Sequence, residues 1–166
     1  MCRTYTVEHV VLAASRPFAE VIAAFEAATG DISGGRLQQE LTAAADAEDF
    51  ERRLRAYESD SGFMRFLDQN HGAWLAVYGV AAKIRLYTLG NPRVAYTMMK
   101  HDLAVGLNVP VRVLIYETAT GEVRFEYDLP STLMSRLGNP AIAAAAEKLD
   151  ANLAALAERV TGATVQ

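Results

Sequence analysis

Three stretches in the second half of the chain alternate apolar and polar residues, and that alternation limits the fold more than any other feature of the sequence. They are AAKIRLYTL at 81–89, VRVLIYE at 111–117 and EVRFEYD at 122–128. Successive side chains of a strand point to opposite faces, so each stretch reads as a strand with one side turned to a core. The sorting puts Ala82, Ile84, Leu86 and Thr88 on the apolar side of the first, with Lys83, Arg85, Tyr87 and Leu89 opposite. In the second, Val111, Val113 and Ile115 oppose Arg112, Leu114 and Tyr116. In the third, Val123, Phe125 and Tyr127 oppose Arg124 and Glu126. Strands that share an apolar face need a covering layer.

The C-terminal segment supplies such a layer. NPAIAAAAEKLDANLAALAERV at 139–160 opens with Asn as cap and Pro at the first helical position. Ile142, Leu149, Leu153, Leu156 and Val160 then follow the helical period. At the other end, Tyr5–Ala14 is rich in β-branched residues and predicts a first strand. Ser15, Pro17 and Glu20 read as a helix start, with Ser15 as cap, and Phe18, Val21, Ile22 and Phe25 form a stripe that ends at Gly30. Between 31 and 70 no strand character shows. Leu37, Leu41, Phe50, Leu54 and Tyr57 recur at helical spacing and predict two or three short helices. A strand is expected from near Ala73, turning at Val80-Ala81, and a helix from Pro92 to about His101. A further short helix is expected within 130–138. The order predicts an α+β fold, with a mostly antiparallel sheet of about five strands packed against a long C-terminal helix. A helical insertion at about 31–70 is added to it.

A length of 166 residues suits one domain spanning 1–166. With 51% hydrophobic and 22% charged residues the chain is too apolar for disorder, and its apolar runs fall short of the roughly 20 residues that cross a bilayer. Glu8 and His9 interrupt what would be the apolar core of a secretion signal, so a start at Met1 or Cys2 is expected. One cysteine allows no internal disulfide and agrees with a reducing, cytoplasmic setting. The formal charge of −4, without a basic tract, argues against nucleic acid as a partner.

Candidate chemistry gathers around Gly90-Asn91-Pro92, where a strand gives way to a helix. Gly frees the backbone, Asn caps and Pro sits where no N–H is needed, so a structural turn accounts for all three. The same helix start, with Arg93 beside it, also suits an anion. Neither a GxxxxGK[ST] loop nor a GxGxxG turn occurs, and no cofactor is expected. Arg85, Arg112 and Arg124 are expected on one mixed polar sheet face, as solvated ion pairs or as a convergent anion site. His101 beside Asp102 offers an acid–base centre or a plain helix-end histidine, and no GxSxG elbow accompanies it. His9 and His71 stand isolated, without HExxH or paired cysteines, so no metal is expected.

HGAWLAVYG at 71–79, LGNPRVAYTMMKHDLAVGLNVPVRVLIYE at 89–117 and YDLPSTLMSRLG at 127–138 resemble the bacterial family known as domain of unknown function 302. The likeness covers about the last 100 residues well and the first 30 in pattern only. It implies a fold similar to the TATA-box-binding-protein-like class, in which a curved antiparallel sheet grips a long C-terminal helix, and it implies dimers. It implies no activity. Many members of the family carry Cys before Asn-Pro where this chain has Gly90, so thiol or metal chemistry does not carry over.

Together these readings lead to a cytoplasmic homodimer that binds a small molecule, an anion among the candidates, through Gly90, Asn91, Arg93, His71, Trp74 and Arg112, with His101 close by. An enzyme using His101 with Asp102 or Asp68 is the first alternative. A structural or partner-binding protein working through helices at 37–58 or 140–160 is the second.

Overall fold

Asn139 opens the last helix as its sequence requires. Its side chain accepts hydrogen bonds from the Ala141 and Ile142 amides, Pro140 takes the first position, and helix α7 runs Pro140–Thr161 before Gly162 ends it at φ 74°. In this computed structural model, which describes Cys2 and residues 4–163, the remaining elements follow the chain. Strand β1 is His9–Ala14, helix α1 Phe18–Ala28, β2 Gly30–Asp31, α2 Arg36–Ala43 and α3 Ala47–Arg55. Next come β3 Met64–Asn70, α4 His71–Val77, β4 Ile84–Gly90 and α5 Pro92–Met99. A 3-10 turn at Leu103–Leu107, β5 Val111–Glu117, β6 Val123–Asp128 and α6 Pro130–Met134 lead into α7. The strands form one sheet in the order β1-β6-β5-β4-β3-β2, antiparallel except where β2 runs beside β3.

One face of this sheet is covered by helices. Val111, Val113, Ile115, Val123, Phe125 and Tyr127 turn inward against Val21 and Phe25 of α1, Met98 of α5 and the α7 stripe from Ile142 to Val160. A smaller cluster of Ile32, Leu54 and Met64, with Leu37, Phe50 and Phe66 against it, lies under α2 and α3. The architecture is thus α+β with a long closing helix, and it holds six strands rather than five. No helix among the described residues is long and apolar enough to cross a membrane.

Several expectations are corrected. Residues 64–70, read as helical or irregular, are β3; the strand expected near Ala73 is instead helix α4. The first strand begins at His9 rather than Tyr5. Ser15 does not cap α1; Pro17 holds that place without a side-chain bond, and the Ser15 hydroxyl donates to the Thr161 carbonyl at 3.1 Å. A start at Met1 lies outside the described residues; Cys2 is exposed.

The faces of β4 are also exchanged. Arg85, Tyr87 and Leu89 pair with Ile115, Val113 and Val111, and directly paired residues share a face. Tyr87 and Leu89 are therefore fully buried, whereas Ile84 and Leu86 lie part-exposed on the other side. Arg85 accordingly leaves the face that carries Arg112 and Arg124. Tyr87 explains the exchange. Its ring packs on Phe25, with centroids 4.6 Å apart, and its hydroxyl donates to Glu26 Oε1 at 2.8 Å. Arg85 sits where the covered face ends and reaches Asp68 at 2.6 Å and Glu26 at 3.4 Å. Burial and the bond to Glu26 push the Tyr87 hydroxyl far above its usual range.

Candidate functional site

Strand β4 ends at Gly90, and Asn91 turns the chain into α5 with its side-chain oxygen on the Arg93 amide at 3.0 Å. The Asn91 amide group donates to Glu58 Oε1 at 2.7 Å and to the Gly62 carbonyl at 3.1 Å. Arg93 lies against the same Glu58 at 2.8 Å, with Glu51 at 3.7 Å. The turn is thus pinned to the segment between α3 and β3, and the polar groups of Asn91 and Arg93 are held by neighbours within the chain.

Beside the turn opens a cavity of ≈ 230 Å³. Its walls come from distant parts of the chain: Leu37 of α2, Phe66 of β3, Val94 and Met98 of α5, Pro110 before β5 and Leu149 of α7. Gly90, Asn91 and Pro92 form one rim. Apolar side chains dominate the lining, and two adjacent methionines, Met98 and Met99, supply flexible, polarizable surface. Such a cavity favours shape and dispersion contacts over charge.

The sequence candidates do not all meet here. Gly90 and Asn91 line the cavity, and Arg93 stands beside it. His71 and Trp74 belong to α4, where Trp74 Nε1 donates to His71 Nδ1 at 3.0 Å and the rings meet edge to face; neither lines this cavity. Arg112 is exposed on the opposite sheet face and borders a different hollow with Tyr5, Thr88 and Asp128. His101 is exposed one residue beyond the C-cap of α5. Asp102 does not orient it; its Oδ1 accepts the Ala104 amide at 2.8 Å and starts the 3-10 turn. Asp68 is ion-paired with Arg85. Arg124 pairs with Glu122 at 2.6 Å.

Sequence reading missed Phe66, Met98 and Leu149 as site residues. The available signal is Met98-Met99, about two helical turns after Pro92 on the same helix. Phe66 stays hidden in the sequence because its strand reads as a helical or irregular stretch.

The sequence model of a family described as "Domain of unknown function DUF302" matches residues 38–160, from α2 to the last turn of α7. Among solved structures, the fold is similar to that of the uncharacterized conserved protein DUF302 from Bacillus stearothermophilus. The two agree with a TM-score of 0.65 at 18% identity, over 92% of this chain and 97% of that one. At that identity the likeness is one of fold. No curated protein matches the chain.

Proposed function

The chain belongs to the DUF302 family, a domain of unknown function, and from the cavity beside Gly90 we propose that it binds a small, largely apolar molecule there. The observation that carries this reading is the composition of the walls, where Leu37, Phe66, Met98 and Leu149 converge from four elements on ≈ 230 Å³. For scale, a dry apolar cavity of ~150 Å³ in another protein takes up benzene. This one has room for a bicyclic aromatic or a short alkyl chain. The polar rim at Asn91 is engaged by Glu58 and Gly62 and contributes orientation rather than charge.

Thermal unfolding with indole, toluene and inorganic phosphate as separate additives tests the reading. Indole or toluene should raise Tm steadily with the logarithm of its concentration, the linkage stabilisation reaching about 2.7 kcal/mol at a hundredfold excess over Kd. Stabilisation by phosphate alone would favour the anion reading of the turn instead.

We also propose a homodimer. On α4 and its C-cap, Trp74, Val77 and Tyr78 are 48–83% exposed, and the Trp74 and Tyr78 rings meet edge to face at 6.3 Å, so their apolar surface adjoins. Light scattering should return twice the chain mass, and Tyr78→Glu should lower it; a monomer at all concentrations would remove the proposal.

A further inference from the structure

A second hollow lies away from the first, between the free edge of β1 and helix α7. Strand β1 ends the sheet and pairs only with β6. The groove beside it measures ≈ 610 Å³ and is lined by Glu8, Val10, Tyr127, Leu129, Asp150 and Ala154, among others. We propose that this groove is a binding site for an aliphatic primary ammonium ion.

Two independent features support the assignment. Tyr127 is 2% exposed, yet its hydroxyl has no hydrogen-bond partner among the described residues, and a buried polar group in that condition asks for a ligand or ordered water. Its hydroxyl lies in the field of Asp150 and Glu158 and is pushed up to about 12, first by burial and then by those carboxylates. Asp150 is the second feature. One of its oxygens accepts the Ser131 amide at 3.0 Å, and burial raises its carboxyl, with Glu147 and Glu8 adding like charge. Among the described residues no Lys or Arg forms an ion pair with Glu8, Glu147 or Asp150. Among the described lining residues the one group able to carry positive charge is His9, and it lies against Asp128 at 2.8 Å and Glu126 at 3.4 Å.

Asp150 and Glu8, with no Lys or Arg paired to them among the described residues, select a cation, and the shape of the lining decides which kind. No three His, Cys, Asp or Glu side chains among the described residues stand close enough to hold a metal ion. Val10, Leu129, Ala151 and Ala154 instead offer an apolar track for an alkyl stem, with the ammonium at Asp150.

The test uses the full chain and amide NMR titrations with hexan-1-ammonium chloride, hexan-1-ol and magnesium chloride. The ammonium salt should shift the Ala151 and Ala154 amides saturably, while hexan-1-ol, if it binds, shifts those of Gly90 and Ala95 at the other cavity. Asp150→Asn should weaken the ammonium about tenfold, the loss of one charge-assisted bond. Tyr127→Phe should weaken it with the circular dichroism unchanged. Should Asp150→Asn fail to fold, Glu8→Gln at the exposed rim carries the test, with about a threefold loss expected. Equal shifts of Ala151 and Ala154 by hexan-1-ol or magnesium, or wild-type affinity in both charge variants, would overturn the assignment. Failure here leaves the Gly90 cavity untouched, because the two sites report through different amides.

Discussion

A β-carbon at position 90 would meet Phe66 Cε2 and two Pro110 atoms at 3.7 Å, an ordinary contact distance. Gly90 is also absent from the glycines with positive φ. Neither backbone angle nor collision therefore demands glycine, and the room it leaves belongs to the cavity. Gly90→Ala should fold with stability within about 1 kcal/mol of wild type. Indole affinity should fall, and calorimetry of the variant checks both. Tyr87 shows why residue-level reading went astray in β4. Alternation treats tyrosine as polar, but the ring is core and only the hydroxyl needs a partner, which Glu26 provides from another element. Tyr87→Phe leaves the Glu26 carboxylate and Arg85 to each other and should cost about 1–2 kcal/mol in urea unfolding. An unchanged midpoint would contradict the importance given to that bond.

Helix starts were the most legible elements, because cap and first-turn chemistry is local. Asn91 and Asn139 each precede Pro, and both accept hydrogen bonds from the first-turn amides. Asn139→Ala should cost about 1 kcal/mol, and Asn91→Ala more, since its amide also holds Glu58 and Gly62. A urea series on the two variants gives the comparison; equal losses would mean that the ties to Glu58 and Gly62 are energetically idle. Ser15 marks the limit of local reading: the hydroxyl that resembles a cap is drawn away by the Thr161 carbonyl, 146 positions on. Strand β3 escaped for a different reason. Its register shifts between Arg65 and Leu67, which breaks the two-residue period, and four of its seven residues are exposed. Helix α4 buries none of its residues, so HGAWLAV carries no stripe to betray the helical period.

At the scale of the whole molecule, the apolar faces of β5, β6 and α7 were enough to give the layer arrangement, whereas the cavity was not readable because its walls meet only in three dimensions. Charge adds a pH signature. The Ser33 hydroxyl, the Ser33 amide and Arg36 hold the Asp31 carboxyl down at about 2. A lowered carboxyl stabilises the fold above its unfolded value of about 4, and that contribution is lost as pH falls toward 2. Asp31→Asn should therefore flatten the decline of stability between about pH 4 and 2. His9 runs the other way. The Asp128 carboxylate raises its pKa, so its contribution is full below about 6.5 and fades as pH climbs through the higher folded value. His9→Ala should remove that fading, seen as a flatter stability curve from about pH 6.5 upward. The account as a whole turns on the cavity at the end of β4, and amide NMR of the full chain titrated with indole tests it most directly. Saturable shifts confined to Gly90, Val94, Ala95, Met98 and Val111, reduced in Gly90→Ala, are the predicted result. Shifts scattered over the surface, or centred on α4 around Trp74, would contradict it.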